Sequence, residues 1–480
     1  MKQRSGILLL AATLAVFTGC DFLDPTEVTN PTVTEADFVQ TPNAAASWTR
    51  GVERQLAVAV NQVIMGAEVV SDNLFNNRTL FSKVFDTPEI ESSDFDVTNI
   101  QRAVHQLREM ADRGLNEVVP ADENATAETR AQLHFLRGYA SLLSGELFVA
   151  LPGESGGPAL EPAAHFQRAV DDFQQARSLS GSGDMQNAAL LAIARAHYQA
   201  GNRGEAVAAA SEIRNSVPDL IRHARFDNTD GPNNNMQFAI FDSGQDEFQP
   251  LPRLDFLFPK YYSRTAGAQS PVAILKGEEA FLILAEAAIS QGDLGEARSI
   301  LTELLDLVAS RPAESINDTG QLRGRRGGTW IYPDSEGILV AASPDDEPRA
   351  GLVLTRSDGP VQVPVISGTS VSSDMLAGAT DEESLLELLY LMRQEIFVVE
   401  GRRMTDLGIR FPVALDEALT NDNIQEGSPA TQAQLPSFIP MNFGLDGFNY
   451  EDGDMLAVIL HNMNRAIVQN RSSAAVAPFH

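Results

Sequence analysis

The chain has 480 residues, 43% hydrophobic and 21% charged, with 65 acidic residues against 35 Lys and Arg and a net charge of −30. This is the composition of a folded chain and excludes a disordered one; so large an acidic excess also argues against nucleic acid, whose binding rests on neutralising phosphates. A single cysteine, Cys20, excludes an internal disulfide and a thiolate metal cluster.

At the N-terminus, Lys2 and Arg4 precede an uncharged apolar run over residues 6–17, and Thr18-Gly19 lead into Cys20. A basic start, a short apolar stretch and a small-residue end describe an export signal. The run is shorter than the roughly 20 residues that span a bilayer. Cys20 directly after small residues resembles the lipobox of bacterial lipoproteins, with Phe17 where that motif usually has Leu. The resemblance implies a signal peptide over residues 1–19, cleavage before Cys20 and a diacylglycerol on its sulfur, so that the chain is anchored to a membrane. Loss of residues 1–19 removes Lys2 and Arg4 and no acid. The acidic remainder should be repelled by anionic headgroups, so the lipid must hold it.

Residues 20–42 read as a tether and entry segment, polar and rich in Pro, Thr and Glu. Residues 43–480 read as a single domain. From about residue 43 to 310 the apolar residues recur at helical spacing. Within that stretch a pattern repeats: Ala194, Gly201 and Ala206 stand seven and five apart, as do Ala285, Gly292 and Ala297, and again Gly138, Gly145 and Ala150. Small residues let paired helices approach, and the glycine lets the chain turn between them. This resembles the tetratricopeptide repeat, with units near 131–150, 187–218 and 278–310; Pro152 interrupts the first. Residues 311–380 are rich in Gly, Ser, Asp and Pro and read as long irregular loops with short β-prone runs at 351–355 and 361–366. The C-terminal helix and tail occupy residues 381–480. Thr380 with Glu383 three residues on suits a capping box. Leu385, Leu386, Leu389, Met392, Ile396 and Val399 then give the helix one apolar stripe. The expected fold is mainly α: a helical-hairpin spine, long irregular loops and a few short strands.

The order of pieces carries a wider resemblance. After Cys20 come Asp21-Phe22-Leu23-Asp24, then GAEVVSDN at Gly66–Asn73, AQLHFLRGYASLLSGELF at Ala131–Phe148, HFQRAVDDFQQARSL at His165–Leu179, the two repeat units, and RQEIFVVEGRRMTDLGIR at Arg393–Arg410. This order resembles the SusD/RagB family of outer-membrane nutrient-uptake lipoproteins. The closing piece maps onto the family pattern at Arg393, Glu395, Phe397, Glu400, Gly401, Arg403, Asp406, Leu407 and Arg410. The family usually closes with Gln-Asn-Pro-Gly-Tyr; here Gln469-Asn470 stands without the Pro-Gly-Tyr. The resemblance implies a SusD-like fold, no catalytic activity, and binding of an oligosaccharide, or sometimes a peptide, at the cell surface. It also implies delivery of that ligand to a TonB-dependent SusC-like β-barrel transporter. The residues of the closing motif read as scaffold, with Glu400 and Arg403 spaced to pair if the helix runs on through Gly401.

The seven histidines form no HExxH or other ligand spacing, and no P-loop is present. The 227–235 and 451–454 segments offer oxygen ligands for Ca²⁺, but neither fits an EF-hand loop, so solvated turns are the reading and no metal or cofactor is expected. Sugar rings need flat aromatic faces and planar polar groups. The candidates are Trp330 and Tyr332 in the Gly-rich loops, Tyr261 and Tyr262 after a Pro-rich loop, and Asn73, Asn76 and Arg78 after the VVSD segment. Two rivals remain: a periplasm-facing repeat scaffold in envelope assembly, which leaves Arg393–Arg410 unexplained, and a secreted hydrolase, for which no carboxylate pair stands out.

Overall fold

The computed structural model describes residues 38–76, 85–244, 247–320, 331–441 and 445–480. Cys20, Arg78 and Trp330 lie outside them, as does most of the tether. The mainly helical architecture expected from the periodicity is the one the chain adopts. Helices α1 (Ala44–Val69), α2 (Phe95–Arg113), α3 (Ala127–Leu147), α4 (Pro162–Leu179), α5 (Gly183–Gln199), α6 (Arg203–Ser216), α7 (Glu278–Ile289) and α8 (Leu294–Ala309) each pack on the next. One buried apolar cluster runs from Ala44 in α1 to Phe479 at the C-terminal end.

Two of the repeat units fall where the spacing places them, as α5–α6 and α7–α8. Ala194, Ala206, Ala285 and Ala297 are fully buried between the paired helices. Gly201 and Gly292 turn the chain with φ of 72° and 78°, a left-handed conformation that favours glycine. The closing hydrogen bonds are the same in both units: Asn202 N to His197 O at 2.8 Å, and Asp293 N to Ala288 O at 2.9 Å.

The first unit is partial. Residues 131–150 hold one helix, not two, because Pro152 enters a two-residue strand, Leu151–Pro152, that pairs with Ala159–Leu160. The partner helix α4 starts only at Pro162. Gly145 is therefore no turn glycine. It lies inside α3, where a Cβ would meet the Phe166 ring at 2.7 Å, and Gly138 meets Phe173 at 3.0 Å. Both glycines serve close helix approach.

His165, in the first turn of α4, is buried and donates from Nε2 to the Leu151 carbonyl at 2.9 Å. Burial pushes its imidazole down to about 4, helped by Arg108 and Arg168 and opposed by the Leu151 bond. The unfolded chain then binds the extra proton below its ordinary value of 6.5. Stability tied to His165 is complete above that pH and is lost as pH falls towards 4. His165→Gln should flatten this acid-side slope by up to about 1.4 kcal/mol per pH unit. Urea midpoints measured across that window would show it; an unchanged slope would sink the assignment.

The strands are short. Ile221–Ala224 after α6 pairs antiparallel with Val272–Lys276 before α7, which ties the second unit to the third. Leu74–Asn76 after α1 pairs with Phe248–Pro250. In the loop region, Ala313–Ile316 pairs with Val361–Pro364, and Leu339–Ala341 lies parallel to Leu456–Ile459. The run at 351–355 forms no strand; Leu352 and Val353 are instead buried in a small second core under the loops.

Helix α9 (Glu382–Ile396) packs on α7 and on α10 (Met463–Gln469). Its N-cap is Asp381, whose side chain accepts from Ser384 N at 2.8 Å, one residue later than Thr380. Its stripe from Leu385 to Ile396 is buried as expected. Val399 lies beyond the helix end with φ of 55°.

Candidate functional site

The chain leaves α9 through two left-handed residues, Val399 and Gly401 at φ of 74°. That turn sends residues 400–406 beneath the C-terminal end of α1. Glu68, in the last turn of α1, accepts from Gly401 N at 2.6 Å and from Asn73 Nδ2 at 2.7 Å. Asp72 is gripped by Arg403 through Nε at 2.5 Å and Nη2 at 3.0 Å, and by Arg253 at 3.0 Å. Burial opposes its charge, but Arg403 and Arg253 hold the Asp72 carboxyl below its usual range. Glu400 does not pair with Arg403. The helix stops short of it, and its carboxylate takes Lys260 at 2.5 Å and Lys276 at 2.8 Å. Burial pushes the Lys260 ammonium down to about 8, against the pull of Glu400. Arg393 pairs with Asp406 at 2.7 Å, and Glu395 accepts from Thr369 Oγ1 and Ser370 N, both at 2.7 Å. Arg410 is held by its backbone, which exchanges hydrogen bonds with Gln434. These side chains join α1, the sheet of Ile221–Ala224 and Val272–Lys276, and α9 from within, and the charged residues of the pairs are all buried.

The expected ligand residues do not form a surface. Tyr261 is buried and donates to the Val399 carbonyl at 3.1 Å. Tyr262 is buried and its hydroxyl is taken up by Glu314. Tyr332 packs against Phe75 and Phe448 in the second core. Asn73 and Asn76 are 1% and 0% exposed, Asn73 as part of the Glu68 network. The loops that carry Tyr262 and Tyr332 fold onto small cores of their own, so side chains that read as exposed become the filling beneath them.

A wide concavity lies elsewhere. A groove of about 980 Å³ runs between the first half of α1, the start of α5 and the Ile221–Ala224 strand. It gathers Arg50, Arg54, Arg222, His223 and Arg225 in a chain that is otherwise strongly acidic. The Arg222 guanidinium lies 4.1 Å from the Phe135 ring centroid and reaches Glu53 at 3.2 Å. Burial raises the Glu53 carboxyl above its usual range, against the pull of Arg222. Arg54 donates to the Asp230 carbonyl at 3.1 Å, which fixes the far wall. The groove thus presents planar donors and carboxylate acceptors along an open, polar floor. Such a floor suits an extended polar ligand rather than an apolar one.

No protein-family model matches the chain, and no curated protein matches it. Solved structures do. A SusD-like protein from Bacteroides fragilis, 12% identical, superposes with a TM-score of 0.54 over 82% of this chain and 98% of its own. A SusD superfamily protein from the same species, 13% identical, gives 0.54 over 80% and 99%. The chain has a SusD-like fold. A SusD-like carbohydrate binding protein from Bacteroides vulgatus, 13% identical, gives 0.50 over 76% of this chain and 82% of its own.

Within this SusD-like fold the two acidic segments considered for Ca²⁺ are closed on themselves. Asp227 Oδ1 accepts from Thr229 N at 2.7 Å and Asp230 N at 3.2 Å, and Asp454 Oδ2 accepts from Glu451 N at 3.3 Å. Among the described residues, no group of three or more His, Cys, Asp or Glu is placed to hold a metal. None of their helices is long and apolar enough to cross a membrane. The groove was missed by reasoning that sought aromatic platforms. Its signal is the basic run Arg222-His223-Ala224-Arg225, conspicuous in an acidic chain.

Proposed function

We propose that the protein is a nutrient-binding lipoprotein of the outer membrane, anchored through Cys20 and facing outside. It binds an oligosaccharide, before a peptide, and delivers it to a TonB-dependent SusC-like transporter; it acts by binding alone, without catalysis. The observation that carries this reading is the near end-to-end cover of solved SusD-like proteins, with a protein described as carbohydrate binding among them. The polar groove lends support, because hydroxyl groups are recognised by planar donors and acceptors of the kind that Arg54, Arg222 and Glu53 present.

The test is recovery of the tagged, membrane-solubilised protein from its own cells. A stoichiometric TonB-dependent barrel should accompany it, and Cys20→Ser should release the protein from the membrane fraction. Envelope-assembly factors in place of a barrel would favour the periplasmic scaffold, and normal membrane retention of Cys20→Ser would sink the anchor.

A further inference from the structure

A second cavity, of about 420 Å³, lies between the 340–352 segment, α9 and the residues that open α10. It has the size of small-molecule sites, which run from about 300 to 1,000 Å³. Its apolar wall is aliphatic, from Val340, Leu352, Met375, Leu388 and Leu391, with no aromatic face for a sugar ring. Its charge is one-sided: Asp345, Asp346, Glu347, Glu387 and Glu395 against Arg253 and Arg349. Asp346 and Glu387 are occupied by Arg465 and Asn462, and Glu395 by Thr369 and Ser370. Asp345 and Glu347 stand exposed at the edge and pair with no cation among the described residues. An anionic ligand is therefore disfavoured.

The inner wall is short of two hydrogen bonds. Asp72 is ionised and only accepts, so the amide nitrogen of Gln394 must face it, at 2.9 Å. The Gln394 oxygen then faces Asn464, whose Nδ2 donates to it at 3.1 Å. That fixes the Asn464 amide and leaves its Oδ1 with no donor. Arg253, whose Nη2 serves Asp72 and Gln394, keeps Nε with no acceptor. Both side chains line the cavity, and they are 1% and 4% exposed. Buried polar atoms are rarely left unpaired, and each such atom calls for a partner.

We propose that this cavity binds a small primary amine with an aliphatic body and an amide group, the chemistry of the N-terminal residue of an aliphatic peptide. The ammonium faces Asp345 and Glu347, and the aliphatic side chain lies on Met375, Leu388 and Leu391. The amide supplies the donor that Asn464 lacks and the acceptor that Arg253 lacks. This site is separate from the polar groove and does not rest on the uptake role.

The test titrates the full chain, made soluble by Cys20→Ser, with L-leucinamide and with N-acetyl-L-leucinamide, which keeps the body and amide but not the charge. L-leucinamide should bind saturably and at least about tenfold more tightly than the acetylated probe. Asp345→Asn with Glu347→Gln, both at exposed positions, should weaken it by about the same factor. Leu391→Trp, which fills the cavity, should abolish it. No saturable binding, equal affinity for the two probes, or full affinity in the Asp345/Glu347 double variant would each overturn the proposal.

Discussion

Arg403→Ala should lower the unfolding free energy by about 3–5 kcal/mol, because it strands Asp72 as a buried charge that has lost its bidentate partner. Arg403 is 1% exposed and Asp72 is fully buried, so water cannot replace the guanidinium. Arg253 and Gln394 remain, but they satisfy only one of the two carboxylate oxygens. An exposed pair of similar length gives the contrast. Arg214 meets Glu303 at 2.6 Å on the surface of the spine, and Arg214→Ala should cost no more than about 1 kcal/mol. The readout is the urea midpoint at unchanged denaturant slope. Equal shifts for the two variants would mean that the motif does not act as a buried clamp.

The second large effect is steric. Gly277 joins the Val272–Lys276 strand to α7 with a helical φ of −57°, so its backbone conformation suits any residue. A Cβ there would stand 1.9 Å from the Pro218 carbonyl oxygen and 2.7 Å from its carbon. Gly277 N also donates to Leu220 O at 2.9 Å, which pins the two backbones together. Overpacking usually costs about 1–3 kcal/mol; with backbone on both sides and no side chain able to yield, Gly277→Ala belongs at or above the top of that range. Gly204, in the first turn of α6, has nothing within 4 Å of its would-be Cβ. The same replacement there should stabilise by up to about 1 kcal/mol, through helix propensity. Melting temperatures of opposite sign are expected, and two shifts of the same sign would refute the steric account.

What the sequence reveals about this fold depends on distance along the chain. The spine is legible because its rule is local: small residues at fixed spacings around Gly201 and Gly292 need only their own hairpin to make sense. The stripe of α9 is legible for the same reason, and its cap is misplaced by a single residue because Thr380 and Asp381 are both competent caps. The first unit is only half legible: Pro152 marks the interruption, but the helix that pairs with α3 lies beyond an inserted hairpin. The motif Arg393–Arg410 can be read as scaffold, but its partners cannot. Glu400 finds Lys260 and Lys276, 140 and 124 residues away, and no local pattern announces that choice over Arg403. The tyrosines fail differently. An aromatic ring beside prolines and glycines reads as exposed, whereas Tyr261 and Tyr332 fill gaps between layers that only the tertiary fold creates.

The clamp also sets an order of events. Asp72 and Arg403 are 331 residues apart, and Glu68 and Gly401 are 333 apart. A chain that emerges from its N-terminus first carries Glu68 and Asp72 as solvated charges through most of its length. Helical hairpins such as α5–α6 close over short distances and can form as they emerge, whereas joining α1 to residues 401–403 closes the longest loop in the network. The C-terminal end of α1 is therefore among the last parts of the fold to be satisfied, although the helix itself packs on α2 and α3, and a chain cut before residue 401 leaves α1 with two acids it cannot bury.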